Sequence, residues 1–277
     1  MSGSDAIQID VKKILSDKNP AVARLIPGFL VNYLRKVIHE DELNDFFGSN
    51  RELMDVDLVR AGIKYLGVEY TVHNSENIPG PGRYIFTSNH PLGGLDGGVF
   101  VLELSKYFKH VRFPVNDILM NVKNMSGIFL PVNKHGAQDR EAVRQIEEAY
   151  ASDSQILYFP AGLCSRKKHG EISDLVWQKS IVVKAVRHKR DIVSVYFAGR
   201  NSDFFYNLAN FRVALGIKSN FEMLYLVDEM FRQRDKQIHI VFGETIPWQT
   251  FDRSKTPLEW AAWLKEKTYD LASKVKL

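Results

Sequence analysis

One cysteine, Cys164, is all that the 277 residues hold, so no disulfide can form within the chain and a reducing compartment is permitted. No stretch approaches the roughly 18 to 20 uninterrupted apolar residues of a membrane-spanning helix. The first residues carry Asp5 and Asp10 where a secretory signal needs a basic start and an apolar run. Export by that route is not expected. Metal-ligand spacing is missing among His39, His73, His110, His135 and His239, and no structural or catalytic metal is expected. Neither sign of charge dominates, because 37 Lys and Arg against 33 Asp and Glu leave a net charge of +4. Such mild, interspersed charge gives no nucleic-acid-binding face. What is present, 45% hydrophobic and 25% charged residues, is the balance of an ordinary folded chain with a real core.

Two regimes follow one another along the chain. Residues 1–67 read as a helical extension: from Pro20 to His39 the apolar residues Val22, Leu25, Ile26, Phe29, Leu30, Tyr33, Leu34 and Val37 recur at helical steps. That stripe either packs on its own domain or lies on a membrane surface. Residues 68–277 read as one α/β unit, a mixed central sheet flanked by helices. Its predicted strands are Tyr84–Thr87, Val111–Val115, Phe129–Val132, Ile156–Phe159, Ile192–Phe197 and Ile238–Phe242. Its predicted helices are Asp96–Phe108, Gln138–Ala151, Asp174–Arg187, Asp203–Ala214, Phe221–Arg232 and Pro257–Lys274. Thr256, Pro257 and Glu259 form a strong start signal for the last helix.

Chemistry concentrates where strands end. After Thr87 comes Ser-Asn-His-Pro-Leu-Gly-Gly-Leu-Asp-Gly-Gly, with His90 and Asp96 six positions apart. A regular helix cannot bring those two together, but Pro91 and the Gly93-Gly94 pair supply a permissive turn. A carboxylate accepting one ring N–H fixes the imidazole tautomer and leaves the other nitrogen as a general base. The simpler alternative is a Gly-rich loop whose His and Asp act as caps. A second loop, Phe159-Pro-Ala-Gly162-Leu-Cys-Ser165-Arg166, offers a planar guanidinium as an anion grip, or is merely a basic surface loop. The third, Gly127 to Lys134, ends a strand in the polar pair Asn133-Lys134. Strand ends are where open α/β sheets bind ligands.

Taken in order, these blocks resemble the lysophospholipid acyltransferase superfamily, the glycerolipid acyltransferases with a His-x4-Asp dyad. The wording NHPLGGLDG, then FPAG followed by Ser-Arg, then DLVW is similar to its hemolysin-like branch and to bacterial O-acyltransferases that complete ornithine or glycine lipids. The resemblance implies a glycerolipid-acyltransferase-like fold, His90 as base, Asp96 as its orienting partner, and an acceptor pocket that includes Asn133, Lys134, Gly162, Ser165 and Arg166. Four departures stand out. Five residues separate the dyad instead of four, Asn133 stands where the acceptor-binding arginine is usual, Ala161 replaces a glutamate, and Ser194 replaces a proline. Loss of an arginine and a glutamate favours an amino-acid-derived lysolipid over lysophosphatidate, with Arg166 or Lys134 as substitute cations.

A thioester is already activated, so a base, oxyanion donors and an acyl groove suffice, and the chain has no Gly-x-Ser-x-Gly elbow. The resemblance implies no bound cofactor, an acyl carrier protein or coenzyme A thioester as donor, a lyso-lipid acceptor, and a cytoplasmic protein lying on the inner face of the cell membrane. Cys164, five residues before His169, offers a competing nucleophile. A lipid-binding protein without turnover and a hydrolase are the other rivals. The aromatic segment with Phe204, Leu208, Phe211 and Leu215 on one helical face reads first as core, and otherwise as an acyl groove or membrane-dipping face. The basic run Arg187 to Arg190 suits a helix C-terminus and can attract anionic lipid.

Overall fold

The computed structural model describes residues 7–18, 20–116, 119–132, 140–218 and 220–275. Five helices come first: α1 (Val11–Lys18), α2 (Pro20–Leu25), α3 (Gly28–Val37), α4 (Glu40–Ser49) and α5 (Asp55–Tyr65). The single helix expected from Pro20 to His39 is therefore two, because Pro27 has no N–H to continue α2 and instead takes an extended ψ of 143° as the N-cap of α3. Buried Glu40 joins the helices, accepting from Val11 N–H at 2.9 Å and from Arg35 Nε at 2.6 Å.

Strands and helices then alternate: β1 (Glu69–His73), β2 (Tyr84–Ser88), α6 (Gly94–Leu104), β3 (Val111–Val115), β4 (Phe129–Pro131), α7 (Arg140–Ala151) and β5 (Gln155–Tyr158). A short antiparallel pair, β6 (Arg166–Lys168) and β7 (Glu171–Ser173), precedes α8 (Ser180–His188), β8 (Asp191–Ala198), α9 (Asp203–Ala214), α10 (Leu226–Phe231), β9 (Gln237–Ile246) and α11 (Pro257–Asp270). Seven strands form one sheet in the order β1-β9-β8-β2-β5-β3-β4. Every pairing is parallel except β8 with β9. The sheet is mixed and α/β, as the sequence predicted.

Two cores lie on opposite faces of the sheet, as the alternation of side chains along a strand requires. Phe86, Val193, Phe197 and Phe242 face α5, α6 and α10, whereas Ile85, Ile156 and Ile192 face α8 and α11. Helix α6 is apolar almost all round and buried accordingly. At the edge away from the strand C-termini, fully buried Arg190 donates to the carbonyls of Tyr150 and Ser154 at 2.8 Å, and to those of Tyr84, Ala149 and Ser152. Of the basic run, then, Arg190 is a structural cross-link and not a surface cation. Helix α11 begins with the expected capping box, Thr256 and Glu259 each accepting the other's backbone N–H, a feature that contributes about 1 kcal/mol.

Candidate active site

Strand pairing decides which loops meet. Thr87 on β2 lies in register with Tyr158 on β5 and with Ser194 on β8, so the loops leaving β2 and β5 emerge side by side at the switch point of the sheet. The β2–α6 loop turns at Gly93, whose φ of +75° is a conformation that side-chain-bearing residues rarely adopt. A Cβ there would also press on Leu226 at 3.3 Å and touch the Cys164 sulfur at an ordinary 3.5 Å.

That turn brings His90 and Asp96 together. His90 Nδ1 lies 3.0 Å from Asp96 Oδ1, and Asp96 is fully buried in the first turn of α6. A carboxylate can only accept, so Nδ1 carries the proton and Nε2 is left as the basic nitrogen. Gly97 N–H donates to Asp96 Oδ1 at 2.9 Å and Leu92 N–H to Oδ2 at 2.8 Å. Three donors and the helix N-terminus thus hold the carboxylate. The imidazole stacks on Phe159 with ring centroids 4.1 Å apart and keeps 17% of its side-chain surface exposed. Burial pulls the His90 pKa down, but the Asp96 carboxylate and the Cys164 sulfur, which also contacts the ring, outweigh it and hold the pKa well above the usual histidine value.

A second carboxylate underlies the first pair. Asp174, 4% exposed, accepts from His90 N–H at 3.1 Å, from Ser165 Oγ at 2.6 Å and from Trp177 Nε1 at 2.9 Å. Its own N–H donates to the Tyr269 hydroxyl at 2.7 Å, and Ser165 N–H donates to the His90 carbonyl at 2.8 Å. The β2 and β5 loops are thereby bolted to each other and to α11. Asp174 opened a helix in the sequence reading, but α8 starts only at Ser180. The residues before it are drawn into an irregular loop by these bonds and by Gln178 N–H on the Pro160 carbonyl at 3.0 Å.

The remaining expected site residues divide. Ser165 lies at the dyad, its hydroxyl engaged by Asp174, and Gly162 closes the turn after Phe159 with φ +65°. Arg166 is corrected: it is no open anion grip, being 7% exposed and bound to Glu222 at 2.9 Å and to the Cys164 carbonyl at 2.7 Å. Arg212 Nε approaches the same fully buried Glu222 at 2.8 Å without hydrogen-bond alignment. Asn133 and Lys134 lie outside the described residues. The aromatic segment is also corrected: Phe205 and Tyr206 are the buried side of α9, while Phe204, Phe211 and Leu215 are more than half exposed. Beside the loop, a cavity of about 300 Å³ is lined by Asn89, Pro91, Ser165, Tyr196, Arg200 and Tyr269, among others.

The sequence profile of the acyltransferase family matches residues 13–276. This chain belongs to that family. The acyltransferase is 46% identical over 272 residues to a lyso-glycine lipid O-acyltransferase of Bacteroides thetaiotaomicron, covering 98% of this chain and 100% of the relative. It is 45% identical over 272 residues to a lyso-glycine lipid O-acyltransferase of Phocaeicola vulgatus, with 98% of each covered. Its structure has a TM-score of 0.49 and 16% identity to the crystal structure of the 1-acyl-sn-glycerophosphate acyltransferase PlsC from Thermotoga maritima, covering 96% of this chain and 100% of that one. Among the described residues of the acyltransferase, no three His, Cys, Asp or Glu side chains gather as metal ligands, and no helix is long and apolar enough to cross a membrane.

Proposed function

We propose that this acyltransferase moves a fatty acyl group from an acyl carrier protein or coenzyme A thioester to the hydroxyl of a lyso-lipid, with a lyso-glycine lipid as the preferred acceptor. The carrying observation is the buried Asp96 carboxylate 3.0 Å from His90 Nδ1 at the strand ends. The acceptor class is supported by the activity for which relatives matched over almost their whole length are named. Neutral His90 takes the hydroxyl proton on Nε2 as the oxygen attacks the thioester carbonyl. The tetrahedral oxyanion rests on backbone N–H groups of the glycine-rich turn, other than those of Leu92 and Gly97, which Asp96 holds. Collapse breaks the C–S bond, and the thiolate recovers the proton from the imidazolium.

Contact with the inner face of the cell membrane fits the exposed apolar side chains of two groups, one on α2 and α3 and the other on α9. Leu25 and Phe29 are 82% and 75% exposed, and Phe211 is 61% exposed. Tyr225 links the two groups, its hydroxyl 2.8 Å from that of Tyr33 and its ring 5.1 Å from Phe204. An apolar patch of this kind suits an interfacial protein.

Contact between the Cys164 sulfur and the imidazole favours one second reading, a thiolate nucleophile and an acyl-enzyme. Against it, Cys164 is fully buried beside Phe205 and Tyr206. Turnover separates the readings: purified protein is given an acyl thioester with and without lysolipid, and thiol release and diacyl product are measured. Acceptor-dependent release, abolished in His90→Ala and near normal in Cys164→Ser, is the expected result. Thiol release indifferent to acceptor makes the protein a hydrolase, and binding without release makes it a lipid carrier.

A further inference from the structure

The acceptor's polar end calls for a cation, and Arg166, the first candidate, is buried and held by Glu222. The cavity beside the His90 loop offers a different one. Asn89 and Pro91, the residues on either side of His90, form part of its wall, and Arg200 is the one basic residue that lines it. Arg200 is half exposed and lies 2.5 Å from Asp203 Oδ1, an oxygen that Lys167 Nζ also approaches at 2.8 Å. Two cations on one carboxylate leave a surplus of one positive charge at the rim. A monoanion balances that surplus; a phosphate monoester, with close to two negative charges, does not.

Neutral polar side chains also line the cavity. Tyr196 and Tyr269 line the cavity with their rings 5.8 Å apart. Burial and the nearby Asp174 charge raise the pKa of both phenols, which therefore stay protonated. The Tyr269 oxygen accepts the Asp174 N–H and also meets the Ser165 hydroxyl, whose own hydrogen goes to Asp174, so Tyr196 is the phenol left to donate to a ligand. The Asp174 charge that both phenols feel is offset by Lys265, whose Nζ donates to the Asp174 carbonyl at 2.5 Å and lies 5.6 Å from the centre of the Tyr269 ring, so the surplus at the rim stands.

We propose that this cavity binds the free carboxylate of an N-acyl amino-acid acceptor, with Arg200 as the charged contact and the Tyr196 hydroxyl as a neutral one, while the acceptor's hydroxyl lies at His90. The inference rests on the lyso-lipid reading above and deepens it by assigning the head-group subsite. A glycine held through its amine in a lipid amide keeps a carboxylate roughly 7 Å, about two residue lengths, from a hydroxyl near the amide carbonyl. Asn89 and Pro91 in the cavity wall flank His90 in the chain, which puts the subsite next to the dyad.

The test crosses a residue deletion with a charge deletion in the substrate. Wild type, Arg200→Met and Arg200→Lys are assayed with N-(3-hydroxyhexadecanoyl)glycine, with its methyl ester and with lysophosphatidate. In Arg200→Met the KM for the acid rises about tenfold or more, kcat changes little, and the KM for the methyl ester stays at its wild-type value. Arg200→Lys recovers part of the loss. Equal effects of Arg200→Met on acid and ester, or none on the acid, overturn the subsite while leaving the lyso-lipid reading standing. Wild-type preference for lysophosphatidate over the acid overturns the monoanion argument. No wild-type transfer to any of the three removes the lyso-lipid reading itself and the subsite with it.

Discussion

Replacing Asp96 by Asn is the sharpest perturbation of the proposed dyad, because the geometry allows the amide no comfortable orientation. Oδ1 accepts from the His90 ring and from Gly97 N–H, and Oδ2 accepts from Leu92 N–H. An asparagine must put its NH2 group at one of these places. At Oδ1 it faces the Gly97 N–H and forces the imidazole into the other tautomer; at Oδ2 it faces the Leu92 N–H. Either way one buried backbone donor loses its acceptor, costing about 1–3 kcal/mol, so the melting midpoint falls by roughly 2 to 12 °C in a protein of this size. The rate falls much further, by about 1,000- to 10,000-fold, because the charge that stabilises the imidazolium is lost in both orientations and the tautomer as well in the first.

The pH dependence adds a signature that mere destabilisation lacks. Catalysis needs neutral His90, so wild-type kcat/KM rises as pH passes upward through the elevated His90 pKa. In Asp96→Asn, burial acts without the carboxylate opposing it, and the acid limb moves to lower pH while the plateau drops. Stability has the opposite sign: a folded pKa above the unfolded one stabilises fully below the unfolded value of about 6.5, and that contribution is lost as pH rises through the folded value. The assay is acceptor-dependent thiol release across a pH series, with circular dichroism melts alongside. A folded variant within about tenfold of wild-type kcat/KM, or an acid limb that does not move, refutes the assignment.

Three further outcomes follow from other residues. Asp174→Asn removes one acceptor from the group that holds the His90 backbone; kcat falls about 10- to 100-fold with little change in donor KM, and an unchanged kcat in steady-state assays shows the clamp to be unnecessary. Glu222→Gln leaves Arg166 and Arg212 buried without a countercharge and lowers stability by about 3–5 kcal/mol, measured by urea unfolding; a loss under about 1 kcal/mol contradicts that ledger. Phe29→Glu combined with Phe211→Glu weakens co-sedimentation with phosphatidylglycerol-containing vesicles while leaving the melting midpoint unchanged, and undiminished sedimentation removes those side chains from the membrane face.

Legibility in the sequence followed the range of the forces. The strands at Tyr84, Val111 and Ile192 announced themselves by local runs of β-branched and aromatic residues, and Thr256 with Glu259 marked α11 because a capping box is local. The pairing of His90 with Asp96 was readable since both sit in one short, glycine-bent loop. Strand β1 was missed because Glu69–His73 is only partly buried along its length, and Arg166–Lys168 has no apolar residue to show as a strand. Asp174 looked like a helix opener because its partners, His90 and Tyr269, are 84 and 95 residues away. Arg166 looked like a free cation for the same reason: Glu222 lies 56 residues on. Exposure of Phe204 and Phe211 depends on which side of α9 meets Cys164 and Tyr225, which helical spacing alone does not specify.

The reversed direction of β9 has a consequence in time. Because β9 is antiparallel to β8, Ile246 ends opposite Ile192, and Trp248 N–H bonds to Asp191 at the far edge of the sheet. Helix α11 must then run the whole way back before Tyr269 meets Asp174. A ribosome delivers His90 and Asp96 long before it delivers Tyr269. In a nascent chain Asp174 can reach the His90 loop 84 residues after His90 is made, but the Tyr269 tie that fastens Asp174 to α11 comes only some 180 residues after His90.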